Sequence, residues 1–120
     1  MIRKLLPLLL APLWLAAEDW PHFRGPQHDG ISREKNWLTD WPETGPKRLW
    51  EAQVGIGFSS MAVAKGRLYT QGHNEGAATL YCLDAKTGRK QWSYSWLSNI
   101  GAKFYIGGPG STPTVADGRV

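Results

Sequence analysis

The run from Cys82 to Trp92 places the strongest constraint on how this chain can fold. Asp84 can accept hydrogen bonds from backbone N–H groups two or three residues ahead, and Thr87 can do so more weakly. Gly88 supplies the positive φ that a type I turn with a bulge needs before the chain returns. Trp92 follows four residues later with a large face to bury. The run therefore predicts a β-hairpin with an aromatic residue on its second strand.

An internal repeat extends this prediction from one hairpin to an architecture. Residues 59–68 align without gaps on residues 111–120, with five identical pairs among ten and an offset of 52 residues. Trp50 and Trp92 give a second offset of 42 residues, and a loop of about ten residues before residue 111 accounts for the difference. Fixed periods of this size are typical of propellers and solenoids.

The hydrophobic pattern is that of strands rather than helices. Trp92, Tyr94 and Trp96 alternate with Gln91, Ser93 and Ser95, which predicts a strand with one buried aromatic face. The predicted strands are 48–54, 59–64, 67–71, 78–84 and 90–96, with a turn at Lys65-Gly66 and a loop at 72–77. The chain is expected to be all-β, with a sandwich as the alternative on pattern alone; the repeat favours a propeller of four-stranded antiparallel blades.

The Cys82–Trp92 run resembles the repeat of the PQQ-binding-like β-propellers, Ala-x-Asp-x-x-Thr-Gly-x-x-x-Trp, where PQQ is pyrroloquinoline quinone. Asp84, Thr87, Gly88 and Trp92 match its fixed positions, and Cys82 replaces the small Ala. In that family these residues hold blades together. The opening Trp-Pro-His-Phe-Arg-Gly-Pro at 20–26 resembles the start of a secreted subgroup of these proteins.

The resemblance implies a partial propeller and a domain division. Residues 48–120 would contain the outer strand of one blade, a complete blade, a connecting loop and the start of the next blade, at 48–54, 59–96, 97–110 and 111–120. The chain is then expected to be an N-terminal fragment whose remaining blades come from missing C-terminal sequence. Assembly of a ring from several short chains is the alternative.

The N-terminal residues predict export. Arg3 and Lys4 precede the apolar stretch Leu5–Leu15, and a cleavage site is expected after Ala17, so residues 1–17 are interpreted as a signal peptide. The stretch is short against the roughly 20 residues of a membrane span, although an uncleaved anchor is the alternative. We expect a periplasmic or secreted bacterial protein with no span in the mature chain. Residues 18–47 would be an extended leader that packs its aromatic residues on the propeller's side, or else covers an edge.

Charge and residue spacing argue against several kinds of site. Without residues 1–17, the chain has 12 Lys and Arg against 10 Asp and Glu, and no basic cluster alternates with aromatics, so nucleic-acid binding is not expected. No catalytic residues and no metal ligands are predicted. The three histidines, His22, His28 and His73, lack zinc-like spacing and are interpreted as solvated loop residues. The turn carboxylates of Asp84 and Asp117 are interpreted as caps of backbone N–H groups. Cys82, the sole cysteine, lies on an apolar strand and is expected to be a buried thiol.

Two function classes follow from the resemblance. One is a non-catalytic binding or scaffold module in the cell envelope, like the propeller lipoprotein of the outer-membrane β-barrel assembly machinery, with a protein or polysaccharide partner. The other is a quinoprotein dehydrogenase that oxidises alcohols or sugars with PQQ and Ca²⁺. No cofactor ligand is visible in this sequence, so the scaffold function is favoured and enzyme activity is left open.

Overall fold

The computed structural model describes residues 17–103 and 106–120, and a single four-stranded antiparallel sheet forms its centre. Neighbouring strands in the sheet are also neighbours along the chain. The strands are β1 (Ala62–Ala64), β2 (Arg67–Asn74), β3 (Ala77–Asp84) and β4 (Lys90–Leu97). The described residues contain no helix, and none of them forms a segment long and apolar enough to cross a membrane as a helix. The all-β class is therefore confirmed. The predicted signal peptide lies almost wholly outside the described residues.

Two-residue turns join the first three strands. Lys65-Gly66 has φ angles of 51° and 72°, and Glu75-Gly76 has φ angles of 48° and 80°. Positive φ at both central residues is the geometry whose twist matches that of a β-hairpin. The turn at Lys65-Gly66 was predicted. The loop predicted at 72–77 is wrong, because the tight turn at Glu75-Gly76 lets β2 continue to Asn74 and β3 begin at Ala77.

The flanking segments predicted as strands do not form strands. Residues 48–54 have no ladder partner, and the nearest pairing is a single bridge between Ile56 and His73. Residues 111–120 contain only the bridge between Ala116 and Arg119. Strand geometry requires a neighbouring backbone at hydrogen-bonding distance. In this structure the Val54 carbonyl lies against Gly72 and the Trp50 ring against Gly88. The outer strand at 48–54 was expected to pair with strands from outside this chain, so it stays a prediction.

The sheet has two faces, each covered by a different flanking segment. On what we call the Tyr69 face, Val115 packs against the buried core, and the Gln71 side chain donates from Nε2 to the carbonyl oxygen of Ser111 at 3.3 Å. On the opposite Gly72 face, the Val54 carbonyl oxygen occupies the space that a side chain at Gly72 would need. The core residues on the Tyr69 face are Ala62, Ala64, Tyr69 and Cys82. Val54 thus lies against one face of the sheet, and Ser111 and Val115 lie against the other.

Burial differs sharply between the centre and the outer strand of the sheet. Cys82 on β3 is fully buried, as predicted for a structural thiol. On β4 the exposed fractions are 39% for Trp92, 67% for Tyr94 and 40% for Trp96. The prediction of a buried aromatic face on β4 is therefore wrong for this structure. β4 is an edge strand, and its aromatic side chains are only partly covered by the described residues.

The leader meets the sheet along the edge of β1 and at the turn that follows it. Trp20 exchanges two backbone hydrogen bonds with Val63 on the free edge of β1, at 2.7 and 2.8 Å. The Asp19 carboxylate accepts a hydrogen bond from the Lys65 N–H at 3.0 Å. The other aromatic residues of the leader are mostly exposed, with Trp37 at 71% and Trp41 and Phe23 also in solvent. These three residues do not pack on this sheet, and packing of the leader on the side of a propeller stays a prediction.

Candidate functional site

The residues from Asp84 to Arg89 form a tightly hydrogen-bonded connection between β3 and β4, which we call the Asp84 turn. Asp84 Oδ1 accepts hydrogen bonds from the Lys86 N–H at 3.1 Å, the Thr87 N–H at 2.8 Å and the Thr87 hydroxyl at 2.9 Å. The Gly88 N–H donates to the Asp84 carbonyl at 2.8 Å, and the Asp84 N–H donates to the Arg89 carbonyl at 2.9 Å. The hydrogen bonds expected from Asp84 are therefore present.

The environment of Asp84 favours its charged form. The Thr87 hydroxyl and then the Thr87 N–H lower the pKa of the Asp84 carboxyl, with smaller contributions from the Lys86 N–H and the charge of Arg89. A carboxylate with a lowered pKa is a poor proton acceptor at neutral pH. Its hydrogen bonds hold the backbone of the turn. This arrangement suits a structural role.

Trp50 covers the Asp84 turn from the Gly72 face. Its indole Nε1–H donates a hydrogen bond to the Ala85 carbonyl at 3.1 Å. The ring lies over Gly88, which has a φ of 70°, and a Cβ at this position would collide with the indole. Gly88 therefore serves two purposes, since it adopts the left-handed conformation and leaves room for the ring. Sequence reasoning identified the glycine for the first purpose and missed the second.

Trp92 lies apart from the turn that it was grouped with. It sits on β4 opposite Cys82, next to a bulge in the β3–β4 register, and its ring is tilted against Tyr69 with centroids 6.0 Å apart. The structure thus brings Asp84, Thr87 and Gly88 together and adds Trp50 in place of Trp92. The signal that could have identified Trp50 was already present as the 42-residue offset between the two tryptophans.

His73 is not a solvated loop residue, contrary to prediction. It lies on β2 with 6% of its surface exposed, and its Nε2 is 2.8 Å from the Ser98 carbonyl oxygen. A carbonyl can only accept, so Nε2 carries the proton and donates. That nitrogen is occupied by a structural hydrogen bond.

The two leader histidines lie together. The rings of His22 and His28 stack with centroids 3.9 Å apart and an interplanar angle of 13°. Within residues 17–103 and 106–120, no three side chains of His, Cys, Asp or Glu gather as a metal site would require.

An ion pair in the leader was not predicted. Arg33 Nη2 lies 2.7 Å from Asp29 Oδ2, four residues apart, and the Ile31 N–H donates to Asp29 Oδ1 at 3.0 Å. These interactions, led by the Arg33 hydrogen bond, lower the pKa of Asp29 to about 2. The pair is solvent-accessible, so its role is local ordering of the leader.

The predicted turn at Asp117 is present at the second copy of the repeat. Asp117 has a φ of 48°, and backbone hydrogen bonds between Ala116 and Arg119 close the turn at 2.8 and 3.1 Å. A cavity of about 430 Å³ lies between this turn and its counterpart around Lys65 and Arg67. Equivalent turns of the two repeat copies therefore line one common space.

Comparison with protein-family models found no match for this chain, and neither did comparison with curated proteins or with solved structures. What the chain does must therefore be argued from its own geometry. The best-defined part of that geometry is the Asp84 turn with Trp50 seated on it.

Proposed function

We propose that this chain is part of an exported β-propeller of the PQQ-binding-like kind, and that it acts as a non-catalytic binding or scaffold module in the cell envelope. The observation that carries the proposal is the contact of Trp50 with the Asp84 turn, in which the indole lies over Gly88 and donates to the Ala85 carbonyl. We call this contact the seat of Trp50. Trp50 holds the position in its repeat that Trp92 holds in the next. One repeat therefore contacts the following one through an indole, a glycine and a backbone carbonyl.

The layering of the chain supports a radial arrangement of repeats. The sheet lies between a segment that precedes it and a segment that follows it, and the two segments also meet. The Phe58 N–H donates to the Pro109 carbonyl at 2.8 Å, and a Cβ at Gly108 would contact the carbonyl oxygen of Ile56. These contacts join the residues just before the aligned block 59–68 to the residues just before the aligned block 111–120. Close approach of the two would suit a ring of about four to eight blades.

The use made of the polar residues favours binding over catalysis. Asp84 and Thr87 are engaged in the turn, and His73 is engaged with Ser98. A nucleophile needs a base within hydrogen-bonding reach, and these polar side chains are already held in structural hydrogen bonds. Within residues 17–103 and 106–120, the side chains of Tyr94 and Trp96 present aromatic surface to solvent.

The aromatic side chains of β4 are the surface that best suits a partner. Tyr94 and Trp96 stack with ring centroids 6.1 Å apart, and both are exposed. Tyrosine and tryptophan are enriched at binding surfaces because they combine a large apolar area with a polar atom. A protein or a polysaccharide of the envelope would meet this surface.

Quantitative binding to purified envelope polysaccharides and envelope proteins tests the proposal. We expect Tyr94→Ala and Trp96→Ala to lose at least about tenfold in affinity, because hot-spot aromatic residues carry much of the binding energy. Ser93→Ala, on the opposite side of the same strand, is the matched control and should bind as the unmodified chain does. Equal affinity in all four proteins would show that the aromatic surface does not bind the partner.

A second measurement addresses the dehydrogenase alternative. The protein is titrated with PQQ and Ca²⁺ in a calorimeter, and dye reduction is measured with a panel of alcohols and sugars. The scaffold proposal expects neither heat of binding nor substrate-dependent dye reduction. Saturable binding with dye reduction would replace the scaffold function by the catalytic one.

A further inference from the structure

We propose that residues 19–21 of the leader form a strap that fastens the start of one repeat to the start of the next. The inference rests on the proposed function, because it takes residues 59–68 and 111–120 as successive repeats. The strap is a separate contact from the Trp50 seat. It lies along the free edge of β1, whose turn at Lys65-Gly66 is joined to the Asp84 turn by the hydrogen bond from the Ala85 N–H to the Gly66 carbonyl at 3.0 Å.

Hydrogen bonds from neighbouring strap residues reach equivalent positions of the two repeats. The Trp20 N–H donates to the Val63 carbonyl at 2.7 Å, and the Val63 N–H donates to the Trp20 carbonyl at 2.8 Å. The next residue, Pro21, accepts a hydrogen bond from the Val115 N–H at 2.8 Å. Val63 and Val115 are an identical pair at the 52-residue offset. Two adjacent residues of the leader thus bind the same position of the repeat twice.

The residue types explain why the strap pairs once with each repeat. Pro21 has no N–H, so the ladder that Trp20 begins with β1 cannot continue through it. Its carbonyl is left to accept from Val115. On the other side of Trp20, the Asp19 carboxylate accepts the Lys65 N–H at 3.0 Å, in the turn that ends β1. Three successive residues therefore hold three points of the two repeats.

A turn within the leader holds the strap in place. The Trp20 ring lies over Gly25, where a Cβ would be 2.7 Å from the indole, and Gly25 has a φ of 70°. The turn is closed by the Gly25 N–H, which donates to the His22 carbonyl at 3.0 Å. Among the described residues, a tryptophan ring thus lies over a glycine with positive φ at two places. The Trp20 ring over Gly25 positions the strap, and the Trp50 ring over Gly88 forms the contact between the two repeats.

The strap compensates for a weak element. β1 has only three residues, and its free edge would otherwise expose unpaired backbone groups. Asp19 and Pro21 also form part of the wall of the cavity between the two equivalent turns. Release of the strap would therefore uncover the β1 edge and detach residues 115–120 together.

Amide hydrogen exchange of the chain containing Trp20→Ala tests the strap. The Val63, Lys65 and Val115 amides donate to three different acceptors, so a common increase shows that the strap acts as one unit. We expect all three to exchange about tenfold faster, with the amides shared by β2 and β3 unchanged. Trp37→Ala, an exposed tryptophan of the same leader, is the matched control and should leave all three amides unchanged.

Other outcomes would overturn the strap. Faster exchange at Val63 alone would show that the leader does not join the repeats, and no change at any of the three would show that it does not hold them. If Trp20→Ala also exposes β2 and β3, the same amides are measured in Asp19→Ala, where a rise at Lys65 without a rise at Val115 contradicts the proposal. The exchange rates of the Lys86 and Thr87 amides are measured in the same experiment and report on the Asp84 turn. Disruption of that turn, on which the proposed function rests, is therefore distinguished from loss of the strap.

Discussion

Trp50 and Trp92 lie 42 residues apart, at positions that the sequence predicts to be equivalent, and yet their surroundings differ. Trp50 is half-buried, lies over Gly88 and donates a hydrogen bond to the Ala85 carbonyl. Trp92 is 39% exposed and touches Tyr69 on its own sheet. The two residues differ in what lies beside them, because only Trp50 has a following Asp84 turn to contact.

The difference shows what such a tryptophan requires. The segment that carries Trp50 forms no strand, and the indole contacts Gly88, which has no side chain, and the Ala85 carbonyl, which accepts its N–H. Gly88 and Ala85 belong to a turn of the sheet that follows Trp50 in the chain. Stabilisation by the tryptophan is thus a property of a pair of repeats, and it can be tested by disturbing either member.

The largest effect is expected from Gly88→Val, which disrupts the contact between Trp50 and the Asp84 turn. The substitution adds a β-branched side chain at a φ of 70° and displaces the Trp50 ring, so we expect the free energy of unfolding to fall by about 3 kcal/mol. Urea unfolding followed by tryptophan fluorescence measures it. Gly66→Val is the matched control, since Gly66 has a φ of 72° with open space around it. A loss as large at Gly66 would mean that Trp50 does not sit on the turn.

Trp50→Ala removes the ring and leaves the seat empty. We expect a loss of about 2 kcal/mol, from the apolar contact of a half-buried indole and one hydrogen bond. The double variant Trp50→Ala with Gly88→Val closes a thermodynamic cycle by urea unfolding. Because the collision disappears with the ring, its cost should be smaller than the sum of the two single losses. Strict additivity would contradict contact between the two residues.

An intermediate effect is expected from pH acting on Asp84. The folded-state pKa of this carboxyl is lowered by the Thr87 hydroxyl and the N–H groups of the turn. A lowered pKa stabilises the fold above the unfolded-state value, about 4, and the contribution is lost as the pH falls through the folded value. Thermal unfolding between neutral and acidic pH should therefore show a smaller decline in Asp84→Asn than in the unmodified chain.

The control for this pH dependence is the leader ion pair. The pKa of Asp29 is lowered to about 2 by Arg33, and so it also favours the folded chain above the unfolded-state value. Asp29→Asn alters none of the hydrogen bonds that Asp84 accepts in its turn, so the Lys86 and Thr87 amides should exchange as they do in the unmodified chain at every pH. Because the intrinsic rate of amide exchange itself falls on acidification, the rates are compared as protection factors. Protection factors that do not fall on acidification, in the chain that keeps Asp84, would contradict the role of the carboxylate.

The smallest effect is expected from Trp92→Ala, which sharpens the comparison with Trp50. With much of the indole in solvent and one aromatic neighbour, we expect a loss of about 1 kcal/mol or less by urea unfolding. A loss as large as that of Trp50→Ala would show that something covers Trp92 in solution. That result would point to a following sheet, or a partner, on the aromatic surface of β4.

Local features were predicted well from the sequence, and exposure was predicted poorly. The turn at Lys65-Gly66 and the hydrogen bonds of Asp84 depend on residues within a few positions of one another. The β2–β3 connection was misread because Gly72 and His73 are not typical strand residues. In the structure these two lie against Val54 and Ile56, whose position no local pattern reveals.

The sequence by itself determined most of the four strand segments, the turn at Lys65-Gly66 and the hydrogen-bonded Asp84 turn, because these follow from side-chain spacing and from backbone conformations that few residues adopt. Only the tertiary structure decided which tryptophan covers the Asp84 turn, that residues 48–54 lie on a face of the sheet, and that Trp20 pairs with β1. The physical reason is that burial and edge pairing need a second surface. Which segment provides that surface depends on how distant parts of the chain pack together.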